Sequence, residues 1–270
     1  MSERDQVQDD LGGAGVLNGL RWARGSAYSR TLSDYDPDTG YDQACLGTLA
    51  YKLMVDRLDR VFSCGKYGVD SPGEVGVGLD VVGAGLLPGE LAAMPTFVPG
   101  TVERDDLNGS PGWRCGDWRW LLASCPFGTW RNIPWFKKSA TKQRVARQAA
   151  PGQLTLTPDV LDLPEVVDAL ADLAAPGEPR PTTTLILVHA AEVETGAAQL
   201  LLGRPRMDDR GAEAWWWTLD LLSDLPGAAG RQPSAPTGPD GPGANDVPDA
   251  PVRLRRGRTD RQMAGDGDSA

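Results

Sequence analysis

The sequence predicts an α+β protein, with an N-terminal helical part packed with a C-terminal antiparallel β-meander and a disordered C-terminal tail. Three observations carry this reading. Apolar residues recur every four positions between Tyr41 and Cys64. Aliphatic and β-branched residues flank a turn between Thr183 and Gly203. From Pro226 onward the chain holds 7 prolines and 8 glycines in 45 residues. The chain is accordingly divided into an acidic helical and Gly-rich part, 1–111, and a Trp/basic segment with a helix and sheet, 112–225. These two are expected to form one compact domain, followed by the tail, 226–270.

Each element has its own justification. Leu46, Ala50, Met54, Leu58 and Phe62 form a stripe at helical period, with Leu49, Leu53 and Val61 beside it. Lys52, Asp56 and Arg60 fall on another face at i, i+4 spacing, and Asp56, Arg57, Asp59 and Arg60 read as a solvated face rather than an active-site row. Before this helix, Asp36-Pro-Asp38-Thr-Gly40 is a β-turn and Asp42 lies in the helix's first turn, where a carboxylate suits the dipole. Residues 65–112 are rich in glycine and proline and read as short strands joined by turns. Pro164 and Glu165 open a short helix to about Ala175, with proline in a tolerated first-turn position. Thr183 to Ala191 is the strongest β-signal. Glu194-Thr-Gly196 turns the chain, Ala197 to Gly203 returns it, and Glu213 to Leu221 makes a third strand. The tail composition cannot bury enough surface to offset the entropy of ordering. It contains Arg253-Leu-Arg-Arg-Gly-Arg258, a basic cluster that reads as part of a solvated tail.

Charge is unevenly laid out. The total is -10, which excludes a coat of positive charge for duplex DNA. Residues 112–148, however, carry 8 basic and 1 acidic side chains between two strongly acidic blocks. This island also holds five of the nine tryptophans and three of the five lysines. Flat aromatic faces stack on bases and cations neutralise phosphates, so the combination suits single-stranded or short nucleic acid. Trp118, Trp130, Trp135, Lys137, Lys138, Lys142, Arg144 and Arg147 are the candidate contact residues. Lys137 to Arg147 suits a basic helix that touches phosphates without reading sequence. The competing readings make the tryptophans core residues with arginines lying over them, or pair the basic residues with the acidic blocks.

Other chemistries are less well served. One histidine, His189, rules out a helical pair of His zinc ligands. Cys45, Cys64, Cys115 and Cys125 contain no C-x-x-C pair and read as core thiols. Neither Gly76-Val-Gly78 nor Gly83-Ala-Gly85 completes a dinucleotide fingerprint, and no cofactor is expected. Asp34, Asp36, Asp38 and Asp42 depart from the calcium-loop pattern at Thr39 and Cys45. No metal site is assigned and no catalytic residue is identified. No N-terminal h-region and no apolar run of spanning length occur, so a cytoplasmic protein without membrane contact is expected. The expected function is thus non-enzymatic nucleic-acid binding. A module docking an acidic protein partner is second. A metal-dependent phosphodiesterase using some of Asp34, Asp36, Asp38, Asp42, Glu192 and Glu194 is third.

Overall fold

A computed structural model of the chain describes residues 1–68, 78–152, 182–208 and 213–223. The helix expected at Pro164–Ala175, the tail from Pro226 and its Arg253–Arg258 cluster lie outside the described residues. The described part begins with three helices: α1 (Glu3–Gly13), α2 (Val16–Asp34) and α3 (Gln43–Val61). Ser2 caps α1 reciprocally, its hydroxyl accepting from the Asp5 amide at 3.2 Å while the Asp5 carboxylate accepts from the Ser2 amide at 3.1 Å. Gly15 then turns the chain with φ of 75°, a left-handed conformation that disfavours any side chain.

Helix α2 buries Val16, Leu20, Ala23 and Ala27, a stripe at helical spacing built largely from small residues. Smallness is required. A Cβ added at Gly19 would lie 2.7 Å from the Phe62 ring, so only glycine lets α2 approach the end of α3 this closely. Helix α3 is the one expected from sequence. Its stripe, Leu46, Ala50, Met54 and Leu58, is buried. Asp42 stands one position earlier than expected, as the N-cap, accepting from the Cys45 amide at 2.8 Å.

The charged row of α3 is not solvated. Arg57, Asp59 and Arg60 are all buried, because the following segments close over them. The Asp56 carboxylate accepts from Arg57, from Arg60 Nε at 2.7 Å and from Tyr67 at 2.8 Å, and pairs with Lys66 at 2.7 Å. Burial alone would raise its pKa, but these donors hold the carboxyl well below the usual range. Arg60 also donates to the backbone oxygens of Val81 and Val82. The row is therefore an internal clamp.

The Gly-rich stretch also differs from expectation. Its described residues form one-turn helices, α4 (Leu79–Gly83) and α5 (Pro88–Ala92), before the two-residue strand β1 (Glu103–Arg104). Proline at the first helical position and Glu90, accepting from the Leu87 amide at 3.0 Å, favour a helical turn at α5 over a strand.

The rest of the sheet comprises β2 (Gly112–Cys115), β3 (Trp118–Ser124), β4 (Thr183–Ala191), β5 (Ala198–Pro205) and β6 (Trp215–Asp220). Spatial order follows chain order, β1-β2-β3-β4-β5-β6. All neighbours are antiparallel except β3 and β4, which run parallel from Trp118↔Thr183 to Ser124↔His189. The meander expected over 183–221 is present as β4–β5–β6, and the Trp/basic segment extends the sheet with a hairpin.

Alternation along the strands sorts the core. Trp118, Trp120, Leu122, Leu185, Leu187, Leu200 and Leu202 pack with α1, α2 and α3. Leu121, Ala123, Ile186 and Val188 pack on the opposite face with Ile133, Trp135 and Val145 of the β3–β4 connection. That connection includes the helical turns Trp130–Asn132 and Trp135–Lys137 and helix α6 (Ala140–Ala146). With both faces covered, β4 is an unbroken apolar run rather than an alternating one.

Candidate functional site

The basic island splits in two when it folds. Its first half forms β2 and β3, and its arginines are engaged by carboxylates of the same protein. Arg119 pairs with Asp105 at 2.7 Å, and Arg114 pairs with Glu103 at 2.5 Å. Trp118 is buried and donates its indole N–H to Asp10 at 2.8 Å. Trp135 is buried too, donating to the Ala214 oxygen at 2.7 Å and meeting Trp215 edge-on at 5.1 Å. Neither ring is free to stack on a base, which corrects both assignments. The cause is amphipathic burial: a large ring with one N–H is stable in a core that supplies one acceptor.

The remaining candidates stay nearer solvent. Trp130 is half-buried with the Arg131 guanidinium 4.5 Å from its centroid, and its backbone oxygen accepts from the Trp215 indole at 2.7 Å. Lys137 is exposed, 5.7 Å from the ring of exposed Phe136. Arg144 and Arg147 are exposed and form no ion pair among the described residues. Lys138 and Lys142 are half-buried and point elsewhere. Lys138 Nζ donates to the Ser124 oxygen at 2.9 Å, and Lys142 Nζ stands 6.0 Å from the Tyr51 ring.

Two residues outside the sequence-based set join Trp130 and Phe136. Trp216 is 40% exposed with the Arg206 guanidinium 4.5 Å from its ring. A bulge puts it there. Arg204 opposes Trp217 and Pro205 opposes Trp215, leaving Trp216 as the extra residue. The bulge sends Trp217 toward the helices, where it donates to Glu3 at 2.8 Å, and Trp215 toward Trp135. Two concavities of about 370 and 220 Å³ lie between these groups. The larger is lined by Trp130 and Arg131, the smaller by Phe136 and Arg206, and Asn132, Glu213 and Ala214 line both. The Trp130–Arg131 pair therefore lines one hollow and Phe136 and Arg206 line the adjoining one, with Lys137 over Phe136 and Trp216 against Arg206.

A second polar cluster sits on the helical face, where β3 and β4 end. His189 is buried, and its Nδ1 is 2.8 Å from the Tyr28 hydroxyl. Tyr51 lies beside it, ring centroids 6.3 Å apart. The Arg24 guanidinium stands 4.5 Å from the Tyr28 centroid. Burial, reinforced by the Arg24 and Lys142 charges, pushes His189 down to about 3. Burial raises Tyr28 to about 12 and lowers Arg24 and Lys142.

This predicts a pH response. Folded His189 stays neutral down to about pH 3, whereas a histidine in the unfolded chain titrates near 6.5. Between those values the unfolded state binds the extra proton. Stability is therefore complete above about pH 6.5 and falls on acidification by about 1.4 kcal/mol per pH unit. Urea unfolding at about pH 7 and about pH 5 should show a loss of about 2 kcal/mol that His189→Gln does not share. Parallel losses in both proteins would remove His189 as the cause.

The cysteines and carboxylates do not assemble into a centre. Cys45 is exposed, correcting the core reading for that residue. Cys64 is buried, and burial followed by the neighbouring Asp59 charge pushes its thiol up to about 12. Asp36 closes its own turn through the Asp38 amide, and Glu192 accepts from the Thr195 hydroxyl. Among the described residues, no group of three or more His, Cys, Asp and Glu is placed to hold a metal ion, so the phosphodiesterase reading has no ligand set there. No described helix is long and apolar enough to cross a membrane. Compared with family models, curated proteins and solved structures, the chain matches none.

Proposed function

We propose that the protein binds single-stranded nucleic acid through the surface bordered by Trp130, Phe136 and Trp216. The supporting observation is the pairing of each ring with a cation, Arg131, Lys137 and Arg206 respectively, with Trp130, Arg131, Phe136 and Arg206 lining two adjoining hollows. Stacking on such rings is sequence-tolerant, and the cations supply phosphate attraction. Glu213, paired with Arg206 at 2.6 Å, and the overall charge of -10 oppose a long duplex and favour a short or flexible strand. The reading keeps Trp130 and Lys137, with exposed Arg144 and Arg147 as further phosphate partners.

Fluorescence anisotropy with a labelled oligothymidylate tests it. Trp216→Ala is expected to weaken binding by about 1–3 kcal/mol at unchanged salt slope. Joint replacement of Lys137, Arg144 and Arg147 by Ala should reduce the slope of log K against log salt by about 2, at roughly 0.7 per phosphate contact. No binding at low salt, or binding indifferent to both sets, refutes the proposal. Salt-sensitive capture of an acidic polypeptide in place of the oligonucleotide would transfer the surface to the acidic-partner reading.

A further inference from the structure

Elsewhere in this molecule, buried cations find acceptors. Arg57 bonds Ser26 and Asp56, Arg60 bonds Asp56 and two backbone oxygens, and Arg104 bonds Asp59 and Asp106. Arg204 donates to Gln148 and Ala149. Arg24 and Lys142, both half-buried, break this pattern. Neither forms an ion pair or a side-chain hydrogen bond among the described residues, although Arg24 Nε is fully buried and both groups lose hydration. Each only lies over a tyrosine ring, Arg24 on Tyr28 and Lys142 on Tyr51. A desolvated cation without a counter-charge is costly.

His189 adjoins both of these rings. It is 1% exposed, and its Nε2 has no hydrogen-bond partner among the described residues. In the tautomer in which the Tyr28 hydroxyl donates to Nδ1, Nε2 carries the ring proton and is a third donor without an acceptor. Two buried N–H donors without acceptors among the described residues, Arg24 Nε and His189 Nε2, thus lie near the two tyrosines, with the half-buried Lys142 ammonium beside Tyr51. Their place in the fold is the carboxyl end of the β3–β4 pair, Ser124↔His189. Lys138 adds a third positive charge while holding the Ser124 oxygen. Two other titratable groups adjoin the cluster. Cys125 is a thiol kept neutral by burial, and Asp106, which influences Tyr51, is engaged by Arg104 and the Gly112 amide.

We infer that Arg24, His189 and Lys142 form a binding site for a small tetrahedral oxyanion, a phosphate or phosphate monoester. The anion would accept from Arg24, His189 Nε2 and Lys142 together, with Tyr28 fixing the imidazole and Tyr51 supporting the lysine. The site is separate from the aromatic surface described above.

Isothermal titration of the full chain with inorganic phosphate and with β-glycerol phosphate, at constant ionic strength balanced with chloride, tests this. Saturable phosphate binding is expected, with affinity reduced at least about tenfold by Arg24→Gln and by Lys142→Gln. Binding of both probes assigns a monoester site, and binding of phosphate alone assigns a site for the free oxyanion. Thermal unfolding supplies the second readout. Without phosphate, the two variants should melt at or above the wild-type temperature, because each removes an uncompensated charge, and they should lose the phosphate-induced rise. Trp216→Ala and Arg131→Gln should keep that rise, which separates this site from nucleic-acid binding. The inference is overturned by absence of saturable binding up to tens of millimolar of either probe. It is equally overturned by unchanged affinity in the Arg24→Gln, Lys142→Gln double variant, or by variants that melt lower yet retain the full phosphate-induced rise.

Discussion

Replacing Asp59 by alanine is expected to destabilise the protein by about 3–5 kcal/mol. The Asp59 carboxylate accepts from Arg104 at 2.5 Å and from the buried Trp113 indole at 2.9 Å, with the Cys64 thiol at 3.7 Å. It joins α3 to β1 and β2 at a point where water is excluded. Removing it strands an indole N–H and leaves the Arg104 guanidinium with only Asp106, at the edge of the site. The ion pair itself need not be worth so much. Most of the loss is the desolvation of donors left without an acceptor. Asp59→Asn keeps an acceptor for Trp113 and should cost less than half as much. Equilibrium unfolding in urea measures both, and an alanine variant within about 1 kcal/mol of wild type would show that this clamp carries little.

Trp120→Ala should cost a comparable amount, about 3–5 kcal/mol, for a different reason. Trp120 is completely buried in mid-strand and meets the Phe62 ring edge-on at 6.1 Å, while Phe62 packs against Gly19 and Phe97. Alanine would open a cavity where α2, α3 and β3 converge. Phenylalanine separates volume from hydrogen bonding. Trp120 Nε1 has no partner among the described residues, so Trp120→Phe removes an unsatisfied donor and loses only part of the ring. Trp113→Phe loses the same ring volume together with the bond to Asp59. Trp113→Phe should therefore be the more destabilising of the two by about 1 kcal/mol or more. The opposite order in urea unfolding would mean that cavity shape outweighs the hydrogen bond.

Legibility from sequence followed the range of the interaction involved. Helix α3 and the β4–β5–β6 meander were readable because their apolar periods, 3.6 and 2, and their turn residues are local properties. Helix α2 was much less so. Beyond Val16, Leu17 and Leu20 in its first turns, much of its buried face is Gly19, Ala23, Ser26 and Ala27, and such residues carry almost no hydrophobic signal. They matter because a ring from another helix fills the space beside them. The parallel pairing of β3 with β4 was likewise invisible, since the partner strands are separated by the whole 125–182 connection.

The candidate sites divide in the same way. The unusual composition of residues 113–147 marked a place where aromatic and basic groups meet, and Trp130 and Lys137 remain on an accessible surface. Trp118 and Trp135 do not, because a tryptophan that finds one buried acceptor gains more from the core than from solvent. Trp216 and Arg206 belong to the surface through a bulge, which no period in the sequence announces. Arg24, Tyr28, Tyr51 and His189 come from α2, α3 and β4 and have no common motif.

By itself, then, the sequence determined the fold class, the long amphipathic helix, the meander and the concentration of positive charge in one segment. Those follow from near-neighbour spacing and composition. Only the tertiary structure decided which charges are paired and which are left open. Closure of the segment around Val81 turned a charged helix face into a buried clamp, and packing of α2, α3 and α6 left Arg24 over Tyr28 and Lys142 over Tyr51 without counter-charges among the described residues. Whether a charge is compensated depends on what lies within a few ångströms of it. That distance is set by packing between elements far apart in the chain.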